Sequence, residues 1–312
     1  MSDNRLKGPF DLKELNTMNN LEELDLGGNE IIKFVDSKGT RSLRNLRTLY
    51  LDRIITIKGS STLLESLGAL AHLEILDLSG SNFEGATLSL GASTNLNILH
   101  MRGSDLKGTR FAQDSNFTNL KELYLDSSSV DENFHQSLET LPSLEILSMQ
   151  YCGLSGILPV NLGICKLKYL QRLDISYNDI SGNLPLCLAN LTSLRQLDLT
   201  FNHFIGNISS SPLEGLTNLE YLSISDNFFQ IPISLSPFFN HSKLEYMKSR
   251  DNKIFAETDS RYLNSRFQLE RLVLSSGGYC GAFPKFLYFQ HNLQIVDLSH
   301  NQMREGFPSW LL

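Results

Sequence analysis

Side chains that ordinarily carry catalysis are thinly spread along the 312 residues. Seven histidines, His72, His100, His135, His203, His241, His291 and His300, stand apart, with no carboxylate at useful spacing. No G-x-S-x-G, phosphate-cradling glycine loop or H-E-x-x-H occurs. Cys152, Cys165, Cys187 and Cys280 form no C-x-x-C pair, so zinc and thioredoxin-type chemistry are not expected. The reading is of a protein that is no enzyme and holds no metal or cofactor. Residues suited to recognition are denser. Tyr151, Tyr177 and Phe201 recur about two dozen residues apart, with Gln150, Arg172, Gln196 and Tyr221 beside them. His100, Arg102, Tyr124 and Asp126 make a second set, and Tyr246, Lys248 and Arg250 a third. Stacked aromatics offer large contact area at low entropic cost. The third set suits an acidic group or a peptide carboxylate. Each set also has a plainer reading: an aromatic ladder that packs only on itself, or solvated charge.

A repeat positions all three sets. Leu170, Leu173 and Ile175 stand as L-x-x-L-x-L, with Asn178 three residues on. The spacing recurs at Leu21/Leu24/Leu26, Leu46/Leu49/Leu51, Leu73/Leu76/Leu78, Leu96/Leu99/Met101, Leu120/Leu123/Leu125 and Leu144/Leu147/Met149. It continues at Leu194/Leu197/Leu199, Leu219/Leu222/Ile224, Leu244/Met247/Ser249, Leu269/Leu272/Leu274 and Leu293/Val296/Leu298. This is the leucine-rich repeat pattern, with a period of roughly 24 to 25 residues. So short a period leaves room for one strand and one return segment per coil. The expected class is α/β: a right-handed solenoid with a curved parallel sheet on its concave face. Return segments should be short helical, 3-10 or irregular pieces. Residues 1–20 read as an irregular or partial first repeat. Residues 21–312 read as about twelve repeats in one continuous solenoid lacking both caps.

An asparagine column closes each strand. Asn29, Asn178, Asn202, Asn227, Asn252 and Asn301 occupy it, Ser81, Ser104 and Ser128 substitute hydroxyls, and Cys152 a buried thiol. Ile54 and Gly277 cannot make the side-chain bond, so looser or kinked coils are expected near both. Ser249 is polar where a strand leucine is expected, which makes the coils from Ser249 to Gly277 the weakest.

Hydrophobic content of 41% suffices for a continuous core, and a net charge of −7 argues against a nucleic-acid backbone as partner. No apolar run reaches the roughly 18 residues of a membrane span. The first residues show no apolar signal-peptide core.

Several repeats extend past the asparagine as x-[aliphatic]-x-G-x-[aliphatic]-P. Examples are Gly182, Leu184, Pro185; Gly156, Leu158, Pro159; and Gly306, Phe307, Pro308. This resembles the plant-specific leucine-rich repeat. The stretches 163–168, 184–194 and 307–312 resemble the ectodomains of plant receptor-like proteins, including the dodder-receptor-like subgroup. The resemblance implies a cell-surface receptor with an extracellular recognition domain, a membrane helix elsewhere and no kinase of its own. It implies a peptide or protein ligand and a partner receptor kinase, in defence or development. This chain lacks the signal peptide, caps and membrane helix of that family, so it reads as an ectodomain fragment. The alternative is a truncated, non-secreted scaffold that binds proteins or has no signalling role. Cys165 and Cys187 lie on neighbouring return segments at similar offsets, so a bridge is geometrically feasible, and two buried thiols are the other outcome. Sequons stand at Asn116, Asn190, Asn207 and Asn240, of which Asn190 has the most family-typical setting.

Overall fold

The computed structural model describes residues 1–15, 17–35, 43–54, 67, 70–89, 95–112, 117–131, 134–158, 163–256, 265–278, 281 and 283–304. Asn116, Pro159, Cys280 and residues 307–312 fall outside them, as does the side chain of His135. The chain divides into two units. The first comprises Met1–Leu154 and Leu162–Leu170, the second Ser155–Asn161 and Gln171–Leu312.

Each unit is a parallel ladder of three-residue strands. Unit one holds Glu23–Asp25, Thr48–Tyr50, Ile75–Asp77, Ile98–His100, Glu122–Tyr124 and Ile146–Ser148, paired in that order. Unit two holds Arg172–Asp174, Gln196–Asp198, Tyr221–Ser223, Tyr246–Lys248, Arg271–Val273 and Ile295–Asp297. The middle residue of each strand points inward, and register sets it against its counterpart: Leu173 on Leu197, Leu197 on Leu222, Leu222 on Met247. These four side chains are sealed from water, whereas Val296, in the last strand, is 42% exposed. A fully buried leucine contributes about 1.5–3 kcal/mol of transfer free energy, and only stacking allows that burial. The first and third residues of each strand necessarily point out of the core. Return segments are mostly 3-10 turns, such as Gly163–Lys166, Leu186–Asn190 and Pro212–Gly215.

A second sheet in unit two was not anticipated. Ser155–Ile157, Asp179–Gly182, His203–Asn207, Phe228–Pro232 and Lys253–Phe255 pair in parallel just past the asparagine column. The first fifteen residues also carry an overlooked member of that column. Asn4 donates to the carbonyls of Met1 and Ser2 at 2.9 Å and, through its N–H, to Asn29 Oδ1 at 3.1 Å.

The column works by stitching neighbouring coils. Asn202 Oδ1 accepts from Ile180 N–H, Asn227 from Phe204 and Asn252 from Phe229, at 2.9 to 3.1 Å. Their amide nitrogens donate back to carbonyls of their own and the preceding coil. Serine reaches less far. Ser81, Ser104 and Ser128 accept from the preceding column residue itself, at 3.1 to 3.2 Å.

The weak coils expected near Gly277 are not found in the ladder. Arg271–Val273 pairs in register on both sides. Gly277 replaces the missing side chain with backbone: its carbonyl accepts from Ile254 N–H at 2.9 Å, and its N–H donates to Asn301 Oδ1 at 3.0 Å. A Cβ at Gly277 would lie 2.3 Å from Ile254 Cδ1 and Cγ1, so glycine leaves room for that isoleucine. Ser249 is fully buried, and its hydroxyl accepts from Asn252 Nδ2 at 3.1 Å, which satisfies the polar atom where leucine was expected. Thr48–Tyr50 is likewise in register with both neighbours, so the ladder is regular beside Ile54; residues 55–66 lie outside the described set.

His241 occupies a core position. Its N–H bonds Phe238 O as Leu191 bonds Leu188 and Leu216 bonds Leu213 in the preceding coils. The ring is fully buried, Nε2 donates to Leu213 O at 3.0 Å, and Nδ1 has no partner among the described residues. Burial lowers its pKa below the ordinary 6.5, against smaller raising effects from Leu213 O, Phe238 O and Glu214.

Two outcomes follow from this packing. Gly277→Ala should lower unfolding stability in urea by about 1–3 kcal/mol, the usual cost of overfilling a packed site. With its folded pKa below the unfolded value, His241 contributes stability that is full above pH 6.5 and declines as pH falls below it. His241→Leu should flatten that part of the profile when urea midpoints at pH 7.5 and 5 are compared.

Candidate recognition surface

One position in every coil has left-handed backbone. It directly precedes the asparagine column: Gly28, Arg53, Gly80, Gly103, Ser127 and Tyr151 in unit one; Tyr177, Phe201, Asp226, Asp251, Ser276 and His300 in unit two. The turn is required because its N–H reaches the next coil, as Phe201 reaches Ser225 O at 3.1 Å and Asp226 reaches Arg250 O at 2.7 Å. Glycine adopts this conformation freely; other residues incur about 1–2 kcal/mol. Tyr151, Tyr177 and Phe201 therefore sit on the turn bordering the strands, not among the strand residues. They are 56%, 38% and 46% exposed. In unit two the rings of Tyr177 and Phe201 stack, 4.7 Å apart and 20° from parallel.

The strand face of unit one carries the second set as a connected cluster. The His100 and Tyr124 rings stack at 4.8 Å, and the Arg102 guanidinium lies 4.5 Å from the Tyr124 centroid. Arg102 Nε pairs with Asp126 Oδ2 at 3.1 Å. Asp126 Oδ1 accepts from the Ser148 hydroxyl and, at 3.2 Å, from Gln150 N–H. His100 Nδ1 is buried without a hydrogen-bond partner among the described residues. Burial, then the charge of Arg102, lowers the His100 pKa and favours the neutral ring.

On unit two the strand face carries Arg172, Gln196, Tyr221 and Tyr246 as a run of register partners. Arg172 lies 3.8 Å from Asp174. Tyr221 OH donates to Asp198 at 3.3 Å, and burial, with the Asp198 charge second, pushes its pKa up to about 12. Lys248 Nζ sits 5.3 Å from the Tyr221 centroid and 3.5 Å from its hydroxyl. Tyr246 OH donates to Glu270 at 2.7 Å. The third set is thus only partly assembled: Arg250 turns aside to pair with Asp251 at 3.1 Å.

Sequence reasoning missed the outward residues of the second sheet. His203 pairs with Asp179 at 2.8 Å and stacks on Phe228 at 5.8 Å, with Phe228, Ile157 and Ile205 exposed. Their signal was the alternation after each asparagine, in which Ile180, Phe204, Phe229 and Ile254 are buried and their neighbours are not. Cys165 and Cys187 are each disulfide-bonded. Cys152 carries a buried thiol that stands 3.1 Å from Leu125 O, and burial pushes its pKa up to about 12. Asn190, Asn207 and Asn240 are exposed, the first two at the ends of Leu186–Asn190 and His203–Asn207 and the third in the turn after Ser236–Phe238.

The repeat models agree with this geometry. A model of leucine-rich repeats in two copies matches residues 168–214, a leucine-rich repeat model matches 143–165 and 292–312, and a third matches 17–32. The fold is a leucine-rich-repeat solenoid. Among curated relatives, Cuscuta receptor 1 of Solanum lycopersicum is 34% identical over 184 residues, covering 59% of this chain and 16% of that protein. Receptor-like protein 1 of Arabidopsis thaliana is 34% identical over 153 residues, covering 48% and 14%. The leucine-rich-repeat chain thus spans about one-sixth of the length of the curated relatives it matches. Solved structures share the fold. The plant peptide hormone receptor RGFR1, in complex with RGF2, superposes with a TM-score of 0.64 at 20% identity, over 98% of this chain and 60% of that one. The Arabidopsis receptor kinase HAESA, in complex with the peptide hormone IDA and the co-receptor SERK1, gives 0.58 at 23%, over 96% and 53%. Among the described residues no helix is long and apolar enough to cross a membrane.

Peptide mapping after alkylation should leave Cys165 and Cys187 unlabelled until a reductant is added. Cys152 should resist iodoacetamide in the native protein and label once denatured, since its thiol is neither exposed nor ionised.

Proposed function

We propose that this chain is part of the recognition ectodomain of a plant cell-surface receptor-like protein. It binds a peptide or protein ligand and acts with a partner receptor kinase, in defence or developmental signalling, without catalysis. The observation that carries the reading is the Tyr177–Phe201 stack. Two large aromatic side chains stay exposed on a turn where glycine would relieve strain. Strain kept at an exposed aromatic pair favours a contact made with something else. Beside the stack, the strand faces present aromatic and charged side chains on rigid ladders, which suits binding at low entropic cost. The names of the curated relatives and the peptide complexes of the structural neighbours support the same reading. Sugars on Asn190, Asn207 and Asn240 would leave the strand faces uncovered.

The test is proximity labelling in plant cells that secrete the tagged chain. Receptor-kinase ectodomains should be enriched, and changing Tyr151, Tyr177 and Phe201 together to Ala should cut that enrichment at least about tenfold, or 1.4 kcal/mol. Equal labelling by a triple variant with an unchanged unfolding midpoint would overturn the reading.

A further inference from the structure

We infer that Lys248 and Arg271 together hold a carboxylate of an acidic peptide laid across the strand face of unit two, a refinement that rests on the proposed recognition role. Both residues belong to neighbouring strands whose middle residues, Met247 and Leu272, are fully buried. Strand alternation therefore turns Tyr246, Lys248, Arg271 and Val273 to the outside. Register pairs Tyr246 with Arg271 and Lys248 with Val273, so Lys248 and Arg271 are diagonal neighbours. Diagonal partners on adjacent strands lie about 7–8 Å apart, within reach of one carboxylate held from two sides by long side chains.

What selects this pair is missing compensation. Elsewhere on the strand side cations have acids: Arg102 has Asp126, Arg195 has Glu220 and Arg250 has Asp251. Lys248 and Arg271 have no acid within ion-pair distance among the described residues; the hydrogen bond made by Lys248 goes to a phenol. Three of the nearby acids are engaged by other groups. Glu270 accepts from Tyr246, Asp198 from Thr200 and Tyr221, and Asp297 from Ser299. The hydroxyl of Tyr221 supplies no charge either, because burial keeps it protonated. Two like charges on a half-buried sheet are relieved by an anion that takes charge-assisted hydrogen bonds from both. A peptide is the fitting source, since the flanking Tyr221 and Tyr246 rings, 6.4 Å apart, offer contact area to neighbouring residues of an extended chain.

Fluorescence anisotropy with labelled decapeptides at low salt tests the assignment. The probes are decaglutamate amide, decaglutamine with a free α-carboxylate, and decaglutamine amide. The chain as a whole carries −7, so an acidic probe that binds reports a local site against the overall field. A carboxylate-bearing probe should bind and weaken at least about tenfold in the Lys248→Gln/Arg271→Gln double variant. Decaglutamine amide should not respond, and Arg250→Gln should leave binding within twofold. The two acidic probes distinguish a side-chain carboxylate from a chain terminus. Absence of binding to the wild type, a folded double variant that binds as well as the wild type, or an equal loss in Arg250→Gln would each overturn the assignment. Because no cellular partner is needed, failure here is separable from failure of the labelling experiment.

Discussion

A turn buried between coils must have its peptide groups satisfied from the next coil. That requirement governs the structure. In unit two, Asn202, Asn227 and Asn252 each accept from the coil before and donate to two sets of carbonyls. An unpaired buried peptide group costs about 1–3 kcal/mol, comparable to the burial of a leucine side chain. The asparagine bonds carbonyls of its own turn, but the remaining bonds come from a neighbouring coil, as does burial of the leucines. Stability is accordingly a property of neighbouring pairs, as expected of repeat proteins.

Much of the fold was legible because leucine spacing reports two periods at once. The short alternation at Leu173 and Ile175 gives a strand, and its return in Leu197 and Leu222 gives the ladder. What escaped the sequence was substitution by backbone. Gly277 looked like a defect because a residue-type rule counts side chains, whereas its own carbonyl and N–H take over the bonds. Ser249 looked misplaced for another reason: its polar atom is satisfied by the side chain of Asn252, which the strand pattern does not show. The second sheet was invisible because its strands follow the asparagine in a stretch read only as a family signature.

The surface was less legible than the core. Burial depends on a residue's own repeat position, but availability of a charge depends on what the neighbouring coil brings beside it. Arg250 and Lys248 are two residues apart and look alike in sequence. One is neutralised by Asp251, while the other leans on Tyr221. Likewise Tyr177 and Tyr221 are both aromatic, yet one stands on a strained turn and the other lies on a strand with its hydroxyl tied to Asp198.

The left-handed residue before each asparagine separates two roles that most proteins combine in one position. Its backbone is fixed by the stack, while its side chain faces away from the core and is filled in turn by glycine, serine, aspartate, arginine, histidine, tyrosine and phenylalanine. Exchanging one of these for another alters local conformational cost by no more than about 1–2 kcal/mol. A lineage can therefore rewrite one whole edge of such a molecule, coil by coil, without redesigning anything beneath it.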